Sequence, residues 1–118
     1  ANTTSLGWVG FAFVEENLAK IKPLKIDAGK GCIEPTPETI AAGEYPIARS
    51  LYIYVAAKNL AEKPALIAFV DYYLSDAGLA VIGVGDGKIP YVPLNATDLA
   101  ATKKVWESKE LGTRDGGK

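Results

Sequence analysis

The run Tyr45-Pro46-Ile47-Ala48-Arg49-Ser50-Leu51-Tyr52-Ile53-Tyr54-Val55 limits what this chain can fold into more than any other stretch. Pro46 fixes its own φ and pushes the residue before it out of the helical region. Leu51 to Val55 follow as an unbroken series of apolar, β-branched and aromatic residues, which reads as a buried strand reached through a stiff connection. Tyr52 and Tyr54 alternate with Leu51, Ile53 and Val55, so one face is expected to be wetter than the other. Core and subdomain packing accounts for these tyrosines better than an aromatic recognition patch. The run lies mid-chain, between two stretches that read as different α/β layers.

On its N-terminal side, Leu6-Gly7-Trp8-Val9-Gly10 reads as a short buried strand. Phe11, Val14, Leu18 and Ile21 then recur at helical spacing until Pro23 stops them. Leu24-Lys25-Ile26-Asp27 alternates as a half-buried strand does, and 28–35 is a Gly-containing loop. Thr36-Pro37-Glu38 carries a helix start, with Thr as cap, Pro at the first helical position and an acid in the first turn. Gly43 is placed to end that short helix near Ala42. On the C-terminal side, the strongest strand is predicted over Ser50–Ala57 and a helix from Lys63-Pro64 through Leu74, with a broad apolar face. Ser75 caps a further helix to about Val84, which dissolves into Gly83-Val84-Gly85-Asp86-Gly87. Tyr91-Val92-Pro93-Leu94 is extended, and Asn95 with Asp98 caps a last helix reaching about Lys109. Residues 112–118 read as a frayed tail. The class is α/β, with strands alternating with helices, and 118 residues suit one domain or one compact lobe.

Composition removes several chemistries. With no His and one Cys, Ser-His-Asp and Cys-His catalysis, an internal disulfide and a thiolate metal cluster all drop out. Cys32 therefore reads as a small buried hydrophobe, or as the partner of a cysteine outside this chain. The net charge of −1 gives nucleic acid no purchase, and no window is apolar enough over a bilayer's width. The chain starts at Ala1 without Met, which suggests that it is processed or excised from something longer. Gly83, Gly85 and Gly87 follow a helix, where a phosphate cradle needs a strand before and a helix after, so they read as a terminator and turn. Glu15 and Glu16 point apart on a helix, and Glu34 and Glu38 are separated by Pro35 and Pro37, so neither forms an acid/base pair. Arg49, between the proline and the strand, is expected to have its head held by a specific acceptor, with a structural partner favoured over an anion.

Several segments resemble one family in order, from about Asn2 to Lys109. Leu6–Phe13 resembles its Gly-Tyr-Val strand and aromatic helix, and Glu34–Ile40 its Pro-Ser/Thr-x-Glu-Thr stretch. Tyr45–Tyr54 is similar to its Tyr-Pro-Leu-Ser-Arg-Pro-Leu-Tyr-Ile-Tyr segment, with Ile47, Ala48 and Ser50 as replacements. Ala65–Ser75 resembles its Leu-x-x-Phe-Val-x-Phe-Tyr-Leu-Ser helix, and Tyr91–Leu94 its Gly-Tyr-Val-Pro-Leu signature without the leading Gly. The chain thus resembles the C-terminal portion of a periplasmic phosphate-binding protein, the solute receptor of a phosphate ABC transporter, with the type II periplasmic-binding-protein fold. That resemblance implies a non-enzymatic receptor without cofactor or metal. It implies inorganic phosphate as ligand in the full-length protein, a membrane permease as partner and no nucleic acid. It also implies a periplasmic or extracytoplasmic place, with lipid anchoring at the cell surface as one form.

By the same resemblance, 1–44 finish one lobe, 45–50 cross the hinge, 51–109 complete the C-terminal part of the other lobe and 110–118 form a tail. The hinge residues are Tyr45, Pro46, Arg49 and Ser50. The family's phosphate-gripping turns lie mainly upstream, among them a Ser-Gly-Thr turn that this chain lacks, so no phosphate-binding residue is matched. The chain is therefore expected to be a fragment, with a homodimer or strand exchange as one way to cover its open edges. A receptor for another oxyanion or small solute, and a stand-alone interaction domain, are the alternatives.

Overall fold

The structure, a computed structural model, describes residues 4–83, 88–109 and 111–112. Its elements run α1 (Phe11–Glu15), β1 (Ile26–Asp27), β2 (Cys32–Ile33), α2 (Pro37–Ala41), α3 (Lys58–Glu62), α4 (Pro64–Tyr73), α5 (Asp76–Leu79) and α6 (Ala96–Ser108). Helix and strand are mixed, as the α/β class requires.

The helix starts follow directly from local chemistry. Thr36 Oγ1 accepts from the Thr39 N–H at 3.3 Å, and Thr39 Oγ1 accepts from the Thr36 N–H at 3.0 Å, so α2 opens on a reciprocal capping box. Pro37 sits where its missing N–H removes no helical bond. Gly43, at φ 71°, ends α2 in the left-handed region that favours glycine. Ser75 Oγ accepts from the Gly78 N–H at 3.1 Å to start α5, and Asn95 Oδ1 accepts from the Asp98 N–H at 2.9 Å to start α6. Lys109 closes α6 at φ 54°.

Two helical expectations change in extent. The apolar period from Phe11 to Ile21 yields a helix only to Glu15. Asn17 Nδ2 donates to the Phe13 carbonyl at 2.9 Å, and the Asn17 N–H turns to Val14 at 2.9 Å. The side chain has taken the acceptor that the next helical bond needs. The helix after Ser75 ends at Leu79, well short of Val84, which lies outside the described residues. A further helix that the sequence did not announce, α3, follows directly on the predicted strand region and runs up to Lys63, immediately before the proline that opens α4.

The strands depart further. β1 and β2 pair antiparallel, Ile26 opposite Ile33 and Asp27 opposite Cys32, so the segment read as loop contains the second strand of a hairpin. Asp27 Oδ1 gathers the N–H groups of Gly29 at 2.7 Å and Gly31 at 3.0 Å, and those glycines sit at φ 91° and 93°. The Lys25–Glu34 ion pair, 3.1 Å, continues the pairing outward. Cys32 is exposed on this hairpin, which corrects its reading as a buried residue: a two-residue strand with no sheet stacked on it buries nothing. Leu6–Gly10 is exposed and forms no strand. Leu51–Val55 forms no strand, and Arg49, Leu51, Ile53, Tyr54 and Val55 make no backbone hydrogen bond among the described residues. Past α5, Ile82 and Ile89 form a parallel bridge, with Gly83 donating to the Ile89 carbonyl at 3.0 Å. Gly85, Gly87 and all of the tail beyond 112 lie outside the described residues.

Val70, 4% exposed, is the one fully buried apolar side chain among the described residues. Leu6, Trp8 and Tyr54 are more than 80% exposed. The accessible surface is 9052 Å², where a compact 12.5 kDa chain presents about 6,200 Å². The radius of gyration is 17.2 Å, against about 13.5 Å for a compact domain of this length. The apolar faces are made by local sequence, and many of their large side chains are exposed among the described residues.

Candidate functional site

The segment 45–50 is anchored at its start. The Tyr45 N–H donates to the Thr39 carbonyl at 3.1 Å, tying the segment to α2. The Tyr45 hydroxyl donates to the Leu24 carbonyl at 3.3 Å, tying it to the chain just before β1. The Ala48 N–H returns to the Tyr45 carbonyl at 3.1 Å, so Pro46 and Ile47 occupy a turn before the backbone straightens. Tyr45 and Ser50 are half-buried, while Pro46 and Arg49 are exposed. Arg49 meets no carboxylate or other acceptor among the described residues. The acceptor expected for its guanidinium is not among those residues.

Asn95 bonds beyond the cap for which it was singled out. Its Nδ2 donates to the Ala41 carbonyl at 2.8 Å, across 54 residues of sequence, and to Asp98 Oδ2 at 2.9 Å. The last turn of α2 and the first turn of α6 are thereby joined at one side chain. The sequence carried one usable signal for this. Asparagine has donors that aspartate, an equally good cap, lacks.

The candidate acids stand apart. Glu34 pairs with Lys25. Glu38 is exposed in the first turn of α2. Hydrogen bonds from its own backbone N–H and from the Thr36 hydroxyl hold its carboxyl below the ordinary glutamate value. A shallow hollow of about 240 Å³ lies between α4 and α6, lined by Asp71, Leu74, Lys103, Trp106, Glu107 and Lys109. Four of its polar groups are engaged. Trp106 Nε1 donates to Asp71 Oδ1 at 2.6 Å, Lys109 Nζ sits 3.2 Å from the Trp106 ring centre, and Lys103 faces Asp76 at 3.6 Å. No group of three or more His, Cys, Asp or Glu side chains converges for a metal ion among the described residues. No helix there is long and apolar enough to cross a membrane.

The family model described as a PBP superfamily domain matches residues 2–77. Protein SphX of Synechocystis sp. is 39% identical over 114 residues, which is 96% of this chain and 32% of that protein. Protein SphX of Synechococcus elongatus is 34% identical over 115 residues, again 96% of this chain and 32% of that protein. The phosphate-binding protein PstS of Staphylococcus haemolyticus is 35% identical over 85 residues, 71% of this chain and 27% of that protein. The chain spans about a third of the length of the curated relatives it matches. No solved structure matches it significantly.

Proposed function

The chain belongs to the PBP superfamily, and from that premise we propose that it is part of a phosphate receptor that feeds an ABC transporter. The observation that carries the reading is the match to phosphate-binding relatives over 71% of this chain at 35% identity, together with 96% coverage by SphX. The role is binding and delivery, without catalysis. The receptor works outside the cytoplasm and hands phosphate to a membrane permease; a lipid anchor at the cell surface is one way of holding it there.

In this reading 1–44 belong to one lobe, 45–50 cross the hinge with Tyr45, Pro46, Arg49 and Ser50, and 51–109 belong to the other lobe. The stiff turn at Pro46 and the tethers on Tyr45 support a fixed pivot at the start of this segment. Roughly 2,900 Å² of surface beyond that of a compact chain calls for a cover the size of an obligate interface. The other two-thirds of a relative-length protein is sufficient to provide it. In isolation, two copies of this chain share the same need and are expected to pair.

Isothermal titration of phosphate tests the function. A tetrahedral oxyanion needs several converging N–H, O–H and guanidinium donors. The full-length protein that contains this chain is expected to bind phosphate at micromolar affinity or tighter, and residues 1–118 alone to show no heat of binding. Absence of binding by the full-length protein overturns the proposal.

A further inference from the structure

We propose that Asn95 is a positioning residue whose carboxamide clamps the C-terminus of α2 to the N-terminus of α6 across the crossing segment and so sets the resting angle between the two lobes. This rests on the lobe assignment given above, in which α2 and α6 lie on opposite sides of 45–50.

The geometry uses both amide hydrogens and the amide oxygen. Oδ1 accepts from the Asp98 N–H at 2.9 Å, and the two Nδ2 hydrogens reach the Ala41 carbonyl at 2.8 Å and Asp98 Oδ2 at 2.9 Å. The Asp98 carboxylate therefore keeps the amide from flipping, because a flip would face oxygen to oxygen. The Ala41 carbonyl is one of the last in α2, where a helix has no internal donor to offer. All three bonds are partly shielded from water. A helix cap alone needs only an acceptor, which Ser, Thr or Asp supplies as well. The second requirement, a donor aimed at another helix's end, selects Asn.

The clamp also sits where it has leverage. The α2 end is held to the crossing segment by the Tyr45 N–H bond to Thr39, and Tyr45 is held in turn to Leu24. Fixing the start of α6 to that same end turns independent drift of two bodies into rotation about a shared point. This is the condition for a defined hinge.

Substituting Asn95 separates the cap from the clamp. N95S keeps a capping oxygen but is too short to reach Ala41. N95D keeps the oxygen and places a negative charge against the negative end of α2 and beside Asp98. In the full-length protein, spin labels on Cys32 and on a cysteine introduced by K104C, both exposed and one on either side of the crossing, report the inter-lobe distance by pulsed electron resonance. Any other cysteine is removed first. Without phosphate, N95S is expected to broaden the distance distribution and N95D to broaden it further, with helix content unchanged. Phosphate Kd should rise about fivefold, the effect of losing one neutral hydrogen bond from the organised state. If N95S does not fold, N95D carries the test. A wild-type distance distribution in both variants overturns the clamp. If the wild-type protein does not bind phosphate, the proposed function falls, while the distance measurement still decides the clamp.

Discussion

Gly78 is the position at which a single added carbon should do the most damage. It is buried at the start of α5, where that helix folds back against the end of α4. A Cβ built on it overlaps the Tyr72 carbonyl oxygen and lies 3.0 Å from the Tyr73 carbonyl oxygen. Both are backbone atoms, so no rotamer change relieves the clash and α5 itself must move. Moving α5 also breaks the linkage that starts it. Ser75 Oγ donates to the Tyr72 carbonyl at 2.7 Å and accepts from the Gly78 N–H at 3.1 Å. Overpacking a closed site costs about 1–3 kcal/mol, and a lost cap costs about 1 kcal/mol more. G78A should therefore destabilise the protein by about 2–4 kcal/mol, read as a fall in the urea midpoint at unchanged m-value. S75A removes the cap and leaves the space, so it should lose only about 1 kcal/mol. A G78A loss equal to that of S75A, or under about 0.5 kcal/mol, would show that the α4–α5 corner yields without strain and that the steric argument is wrong.

W106F removes the indole donor to Asp71 and weakens the ring under Lys109; both are surface interactions, so a loss of about 1 kcal/mol in urea unfolding is expected, and no loss would mean that α6 is not fastened to α4 through this side chain. The Glu38 carboxyl is held below its ordinary value in the folded state, so the unfolded chain binds more protons as pH falls. Its contribution is complete above the unfolded glutamate value and lost as pH drops through the folded one. E38Q should flatten the acid limb of the stability–pH profile and leave the neutral-to-alkaline limb in shape, whereas an unchanged acid limb would refute the hydrogen-bonded carboxylate.

What could be read from the sequence was what chemistry within a few residues decides. Thr36, Ser75 and Asn95 each satisfy a backbone N–H three positions away, and Gly43 needs only its own φ, so these boundaries were legible. Pairing over distance was not. The strength of Leu51–Val55 as a strand is a statement about side chains, while a ladder needs a neighbour, and the described residues supply none. Cys32-Ile33 is too short to show alternation, so its pairing with Ile26-Asp27 was hidden inside a glycine loop. At Asn17 the competition between side chain and backbone for one carbonyl overrode an apolar period that ran on to Ile21. The turn at 45–48 was legible through Tyr45 and Pro46, whose constraints are local. The second bond of Asn95 depends on what else comes near, and only the structure could place it.

The charge of Arg49 has a consequence for solubility. Leu51-Tyr52-Ile53-Tyr54-Val55 is five residues of high β-propensity without charge or proline, the composition from which cross-β stacks are built. In an in-register stack, each Arg49 would lie against the Arg49 of the next copy at the spacing of adjacent strands, about 4.8 Å. Each Lys58, exposed beyond the far end of the segment, would do the same. This apolar window is thus flanked by two like charges acting as gatekeepers.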